Sequence, residues 1–151
     1  MGLVANVGEI PNCTYCTYLN NLKGRKFMNE QIIRDLLAKQ ITMISTDLIV
    51  IKTEYHLKNI DGTDGFIDIL AKDTYNNYVI IEVKKSNQTA RQALHEVIKY
   101  ARLLKTNLKV KESEIRIIIV STKWNELLVP FSEIIDKVSY LIEGYKCFYS
   151  L

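Results

Sequence analysis

Two apolar runs, Gly65-Phe66-Ile67-Asp68-Ile69-Leu70 and Val79-Ile80-Ile81-Glu82-Val83-Lys84-Lys85, flank the polar stretch Asp73-Thr74-Tyr75-Asn76-Asn77. Asx-rich stretches of this kind turn a chain back on itself, so the pattern predicts two strands joined by a hairpin loop. If the hairpin is centred on Tyr75, Asp68 stands opposite Glu82. Side chains alternate along a strand, so Glu82 and Lys84 share a face, and the cross-strand partner of Glu82 lies on it too. A slip of one residue would put Asp68 on the other face, so the centring decides the geometry. Buried strands rarely carry three charges without a use for them. The plainer alternative is a Glu82–Lys84 surface pair on an edge strand with an aspartate near a turn.

Two close carboxylates repel unless a proton or a cation lies between them. A hard divalent ion is the usual solution: Mg²⁺ takes octahedral oxygen ligands at about 2.1 Å, often one or two carboxylates with waters. Asp68, Glu82 and the main-chain oxygen of Val83 could supply the protein's share, with Mn²⁺ able to substitute. Lys84 would then stand beside the attacking water or a phosphoryl oxygen, where a fixed positive charge helps.

In order and spacing, Asp68, then Glu82-Val83-Lys84, then a helix with Gln92, Glu96 and Tyr100 resemble the PD-(D/E)XK nuclease superfamily over about Asn29 to Val120. Within it the two runs are most similar to NucS-like and RecB-like nuclease domains, and more loosely to archaeal Holliday-junction resolvases. The resemblance implies an α/β, restriction-endonuclease-like core: a mixed central β-sheet flanked by helices in the order αβββαβ. It also implies metal-dependent hydrolysis of phosphodiester bonds in nucleic acid, DNA before RNA, by an endonuclease or exonuclease, with Asp68, Glu82, Lys84 and Glu30 as catalytic residues, Glu30 completing a second metal site or holding a metal-bound water. The family's glutamate on the helix before the first core strand matches Glu30. Asn29 is a credible N-cap there, and Glu30 borders the face of Ile33 and Leu37. Complementing the helix dipole is the alternative role for Glu30. RecB-like nucleases carry Gln-x-x-x-Tyr on the helix after the lysine strand. Tyr100 matches the tyrosine, but Glu96 stands four before it and Gln92 one turn earlier, which leaves open which of the two takes the polar role. Gln92, Glu96 and Tyr100 share one helix face and could look toward the site or the solvent. Lys85 and Arg91 join them as expected nucleic-acid contacts. A non-enzymatic alternative keeps the same scaffold as a nucleic-acid-binding or oligomerisation module.

The rest of the chain sets the frame. A length of 151 residues, 48% of them hydrophobic, supports one substantial core. The expected division is an irregular segment over 1–28 and the nuclease-like domain over 29–151. Helices are expected to Gln40, from about Thr89 to Leu108 and around Phe131 to Lys137. Further strands are expected near Leu48 to Leu57, Ile115 to Val120 and Cys147 to Leu151. Ala90, Leu94, Val97, Ala101, Leu104 and Leu108 form the core stripe of the long helix, and His95 reads as a partly exposed helical histidine. A net charge of +3 is too mild to prove a nucleic-acid partner. Its distribution says more, because Lys84, Lys85, Arg91, Lys99, Arg102, Lys105, Lys109 and Lys111 cluster around and after the charged strands, which suits a phosphate backbone or a solvated helix face.

Cys13 and Cys16 form an isolated Cys-x-x-Cys. As half of a zinc site it would need Cys147, a histidine or another subunit to complete it, and loop thiols without a ligand are the plainer reading. The sequence has no Gly-x-Gly-x-x-Gly, no Walker loop and no Gly-x-Ser-x-Gly. It has no apolar run of bilayer length and no signal-peptide pattern at Met1, so a cytoplasmic location with no membrane partner is expected. A homodimer is expected by resemblance, since one such centre cuts one strand. The apolar ending Lys146-Cys147-Phe148-Tyr149-Ser150-Leu151 leaves open a further domain or partner subunit.

Overall fold

A computed structural model of the chain describes residues 7–10, 29–85 and 87–147, with the side chains of 87–91 left out of the description. Its centre is a six-stranded mixed sheet in the order β1-β6-β5-β4-β3-β2. The strands are β1 (Val7–Ile10), β2 (Ile49–Leu57), β3 (Gly65–Lys72), β4 (Tyr78–Lys84), β5 (Ile115–Ser121) and β6 (Leu141–Cys147). The helices are α1 (Glu30–Lys39), α2 (Asn87–Leu108) and α3 (Leu128–Lys137). β2, β3 and β4 form an antiparallel meander, whereas β5 joins β4 in parallel after the α2 crossover, β6 joins β5 in parallel, and β1 pairs with β6 in parallel. The α1-to-β5 run therefore has the expected αβββαβ order.

The β3–β4 loop forms as its Asx content predicts. Asp73 Oδ1 accepts the N–H groups of Tyr75 and Asn77 at 3.0 and 2.9 Å, and Asn76 takes the left-handed conformation that asparagine tolerates. The resulting pairs, Lys72 with Tyr78 through Ile69 with Ile81, centre the hairpin on Tyr75.

Two apolar layers sandwich the sheet. On one side Leu94, Val97, Ala101 and Leu104 of α2, with Phe131 of α3, pack on Ile80, Ile117 and Ile119. On the other, Ile33 and Leu37 of α1 pack on Ile69, Val79, Ile81, Val83, Ile118 and Val120. β5 is buried at every position, as an apolar run between two helical layers should be. The core stripe expected on α2 is in place at Leu94, Val97, Ala101 and Leu104, with Leu108 partly buried at its end.

One expectation is corrected, the irregular 1–28 segment, and the expected strand near Cys147 to Leu151 lies, beyond Cys147, outside the described residues. The last described strand is Leu141–Cys147. Its apolar pattern is broken by Gly144, which is small because the Trp124 ring lies over it: an added Cβ would sit 2.5 Å from Trp124 Cη2. The 1–28 segment is not wholly irregular, since Val7–Ile10 adds to β6. Four residues are too few for a periodic signal; only the parallel partner defines them. Cys13 and Cys16 lie outside the described residues.

At the hairpin end of the sheet, Arg116 is buried and binds three acids from separate elements. Its Nη1 is 3.1 Å from Asp47 Oδ2 and 3.8 Å from Asp73 Oδ2, and its Nε donates to Glu143. This ties the entry to β2, the β3–β4 loop and β6 to β5. Breaking a buried pair leaves uncompensated charge. Arg116→Ala should therefore lower stability by about 3 kcal/mol, read from urea unfolding at neutral pH. A loss under about 1 kcal/mol would mean that water already screens the cluster.

Candidate active site

At the other end of the same strands the β3–β4 ladder stops. Ile69–Ile81 is its last pair, and the next position in register sets Asp68 opposite Glu82, as the centred hairpin predicts. The strands part here because the Asp68 side chain takes a main-chain partner: Asp68 Oδ2 accepts the Val83 N–H at 2.9 Å. Strict alternation of β3 also breaks at this point, since Ile67 and Leu70 both pack in the α2 layer while Ile69 packs in the α1 layer. The Asp68 carboxylate is thereby turned toward β4.

Glu82 lies on the α2 side with its side chain only 4% exposed. Its Oε1 is 3.1 Å from Lys84 Nζ, and Lys84 Nζ is 3.4 Å from Glu96 Oε2 on α2. Glu82 Oε2 is buried and has no hydrogen-bond partner. Burial and the charge of Asp68 push the Glu82 carboxyl up to about 8. Burial also raises Asp68, against the lowering effect of the Val83 N–H and Lys84. For Lys84 burial alone would favour the neutral amine, but Glu82 and Glu96 outweigh it and raise its pKa, so the ammonium persists.

The backbone after Lys84 is clamped from two sides. Glu30, in the first turn of α1, accepts the Lys85 N–H at 3.1 Å. Thr122, just past β5, donates its hydroxyl to the Lys85 carbonyl at 2.7 Å and its N–H to the Lys84 carbonyl at 3.3 Å. Asn29 caps α1 by accepting the Ile32 N–H at 2.9 Å, so the helix start that holds Glu30 is itself secured. Glu30 therefore does more than complement the helix dipole. Thr122 was invisible in the sequence: a lone threonine after a buried strand has no pattern, and only the β4–β5 pairing brings it to Lys85.

Of the α2 residues, Glu96 reaches the site through Lys84, while Gln92 is exposed one turn earlier. Tyr100 is buried rather than solvated. Its ring lies over Gly65, where an added Cβ would sit 2.7 Å from Tyr100 Cε1, and burial with the nearby charges of Glu82 and Glu96 raises its hydroxyl to about 12. Lys85 is partly buried, the Arg91 side chain lies outside the described residues, and His95 is exposed.

Among the described residues no three His, Cys, Asp or Glu side chains converge as a metal cluster. Two carboxylates do, Asp68 and Glu82, one with a buried unpartnered oxygen. That all-oxygen donor set fits Mg²⁺ or Mn²⁺, which accept few protein ligands and complete their shell with water.

Residues 29–127 match the family model described as the endonuclease NucS C-terminal domain. The chain belongs to this family. Its fold is similar to the crystal structure of a repair endonuclease from Pyrococcus abyssi, with 20% identity and a TM-score of 0.57 over 85% of this chain and 51% of that one. It is also similar to a structure of an EndoMS–dsDNA2 complex, with 15% identity and a TM-score of 0.50 over 83% of this chain and 48% of that one. The chain thus spans about half the length of those two proteins. No curated protein matches it. As a NucS C-terminal domain, it carries the restriction-endonuclease-like α/β fold of the PD-(D/E)XK superfamily, and its matched region runs from the Asn29 cap to the residue before α3.

In this NucS-family domain Glu82 binds a proton more tightly folded than unfolded. Its stabilising effect is full below pH 4.5 and is lost as pH rises through about 8. In EDTA, stability should fall with rising pH across that interval, and Glu82→Gln should flatten the slope. Urea unfolding at several pH values checks this, and an unchanged slope in the variant would contradict it.

Proposed function

We propose that the chain is the catalytic domain of a Mg²⁺- or Mn²⁺-dependent endonuclease acting on DNA. The observation that carries this reading is Glu82: a nearly inaccessible carboxylate with one unpartnered oxygen, facing Asp68 and touching Lys84. Nothing in the fold requires such a group at that depth, and burying it has a cost. Membership of an endonuclease domain family supports the same reaction, and the similar EndoMS structure is a complex with double-stranded DNA.

Asp68, Glu82 and the Val83 carbonyl would hold the ion. When bound, it supplies neutralisation of the scissile phosphate and acidification of water. Lys84 keeps its charge fixed between Glu82 and Glu96, so it can orient the attacking water or stabilise negative charge on a phosphoryl oxygen without rearranging. Glu30 and Thr122 hold the Lys84–Lys85 backbone in place, and Tyr100 closes the site's apolar wall. Lys85, Arg91 and Gln92 are proposed to contact the nucleic-acid backbone. Cutting both strands of a duplex takes two such centres, so a homodimer or a partner subunit belongs to the proposal, as does a cytoplasmic location. Among the described residues no helix is long and apolar enough to cross a membrane.

The test is incubation with linear and circular, single- and double-stranded DNA under Mn²⁺ or Mg²⁺. Cleavage of circular DNA is expected, to vanish in EDTA and to fall at least about a hundredfold in Asp68→Ala, Glu82→Ala or Lys84→Ala. Undiminished cutting by purified, folded Glu82→Ala would sink the assignment. Binding that survives EDTA with no cutting of any form would instead favour a silent nucleic-acid-binding module.

A further inference from the structure

Glu54 lies inside β2 yet has a left-handed backbone, with φ at 49°. A residue other than glycine stays in that conformation only where its surroundings hold it. Its neighbours Thr53 and Tyr55 pair with Ile69 and Ile67, so Glu54 stands across from Asp68. The break in the alternation of β3 falls at the same position, since Ile67 packs in the α2 layer and Ile69 in the α1 layer. Two distortions therefore face each other across one step of the β2–β3 ladder.

Glu54 is held by Arg34 of α1, whose Nη1 lies 2.9 Å from Glu54 Oε1. The Arg34 side chain is only 8% exposed. Asp35 aims it, with Oδ1 3.0 Å from Nε and 2.9 Å from Nη2. Arg34 comes one turn after Glu30, which grips the Lys85 N–H at the end of β4. With the strands ordered β4-β3-β2, α1 fastens the neighbours on both sides of Asp68. The guanidinium is also near enough that its charge, with the Val83 N–H and Lys84, opposes the burial that raises the Asp68 carboxyl.

We propose that Arg34 is a positioning residue: by holding Glu54 left-handed it keeps the β3 backbone turned at Asp68, which aims the Asp68 carboxylate at β4. The purpose of this rests on the nuclease reading above, because the aimed carboxylate is the one that would hold the divalent ion. Buried as it is, Arg34 acts through Glu54 and does not touch nucleic acid.

The test is hydrogen exchange at the Val83 amide, which donates to Asp68, in the metal-free full chain. Arg34→Met and Glu54→Ala should each speed that exchange about tenfold, the factor to which the cost of a left-handed residue corresponds, while the amides of β5 keep their rates. Glu54→Gly should retain the protection, because glycine adopts the left-handed conformation unaided. An ordinary ion pair would make glycine no better than alanine, and inside a strand glycine is the worse of the two. Asp35 still pairs Arg34 in both Glu54 variants and the Glu54 side chain is 62% exposed, so this comparison stands even where Arg34→Met fails to fold. Binding of Mn²⁺ without DNA, followed by electron paramagnetic resonance, should weaken about tenfold in Arg34→Met and Glu54→Ala and hold in Glu54→Gly. Equal Val83 exchange in Glu54→Ala and Glu54→Gly, or unchanged exchange in Arg34→Met, overturns the proposal. Cleavage in Mn²⁺ separates the two readings: the expected exchange pattern without cutting of any DNA removes the nuclease and leaves the positioning, and cutting with Val83 exchange unmoved in every variant does the reverse.

Discussion

The hydrogen bond from the Val83 N–H to the Asp68 carboxylate organises this molecule. In a continuous antiparallel ladder that N–H would serve a main-chain carbonyl of the neighbouring strand. A side chain accepts it here instead, and β3 and β4 separate beyond Ile69–Ile81. The separation places Asp68 opposite Glu82 and leaves the end of β4 to be held by other elements. Glu30 from α1 and Thr122 from the far side of β5 do that holding, through main-chain atoms of Lys84 and Lys85. A strand end with lost neighbours on one side is thus fixed by one helix start and one parallel strand.

The sheet carries charge at both ends, on opposite terms. Around Arg116, three acids outnumber the one cation, but each has hydrogen-bond partners: Asp47 and Glu143 accept from the guanidinium, and Asp73, 3.8 Å from it, accepts the N–H groups of its own loop. At the parted end compensation is incomplete: Lys84 serves Glu82 and Glu96, Asp68 raises the Glu82 pKa further, and Glu82 Oε2 has nothing. Desolvated like charges without a counter-charge are costly in a folded chain and are found where a site is built to receive a cation or a proton. The apolar layers on both faces of β5 make this affordable, because they hold the strands in register without help from the site.

Much of this was legible in the residues. The Asx-rich loop centred on Tyr75 set the β3–β4 register, and a period of two then gave the Asp68–Glu82 pair and the shared face of Glu82 and Lys84. The apolar stripe of α2 and the unbroken apolar run of β5 announced a parallel crossover with a buried centre. Edge elements were not legible: β1 is too short for a pattern, and β6 hides its strand character behind Gly144, whose size only the overlying Trp124 explains.

Local pattern determines periodicity, turns and the pairing of strands close in sequence, because these depend on side chains a few residues apart. The chain's residues alone therefore determined the hairpin, the acid pair and the lysine. Tertiary structure decided what came from distant elements: Glu30 and Thr122 converging on Lys85, Tyr100 seated on Gly65, and Arg116 collecting three acids. Each of these contacts joins segments whose approach is set by how the helices pack on a twisted sheet, and no spacing in the sequence encodes that approach.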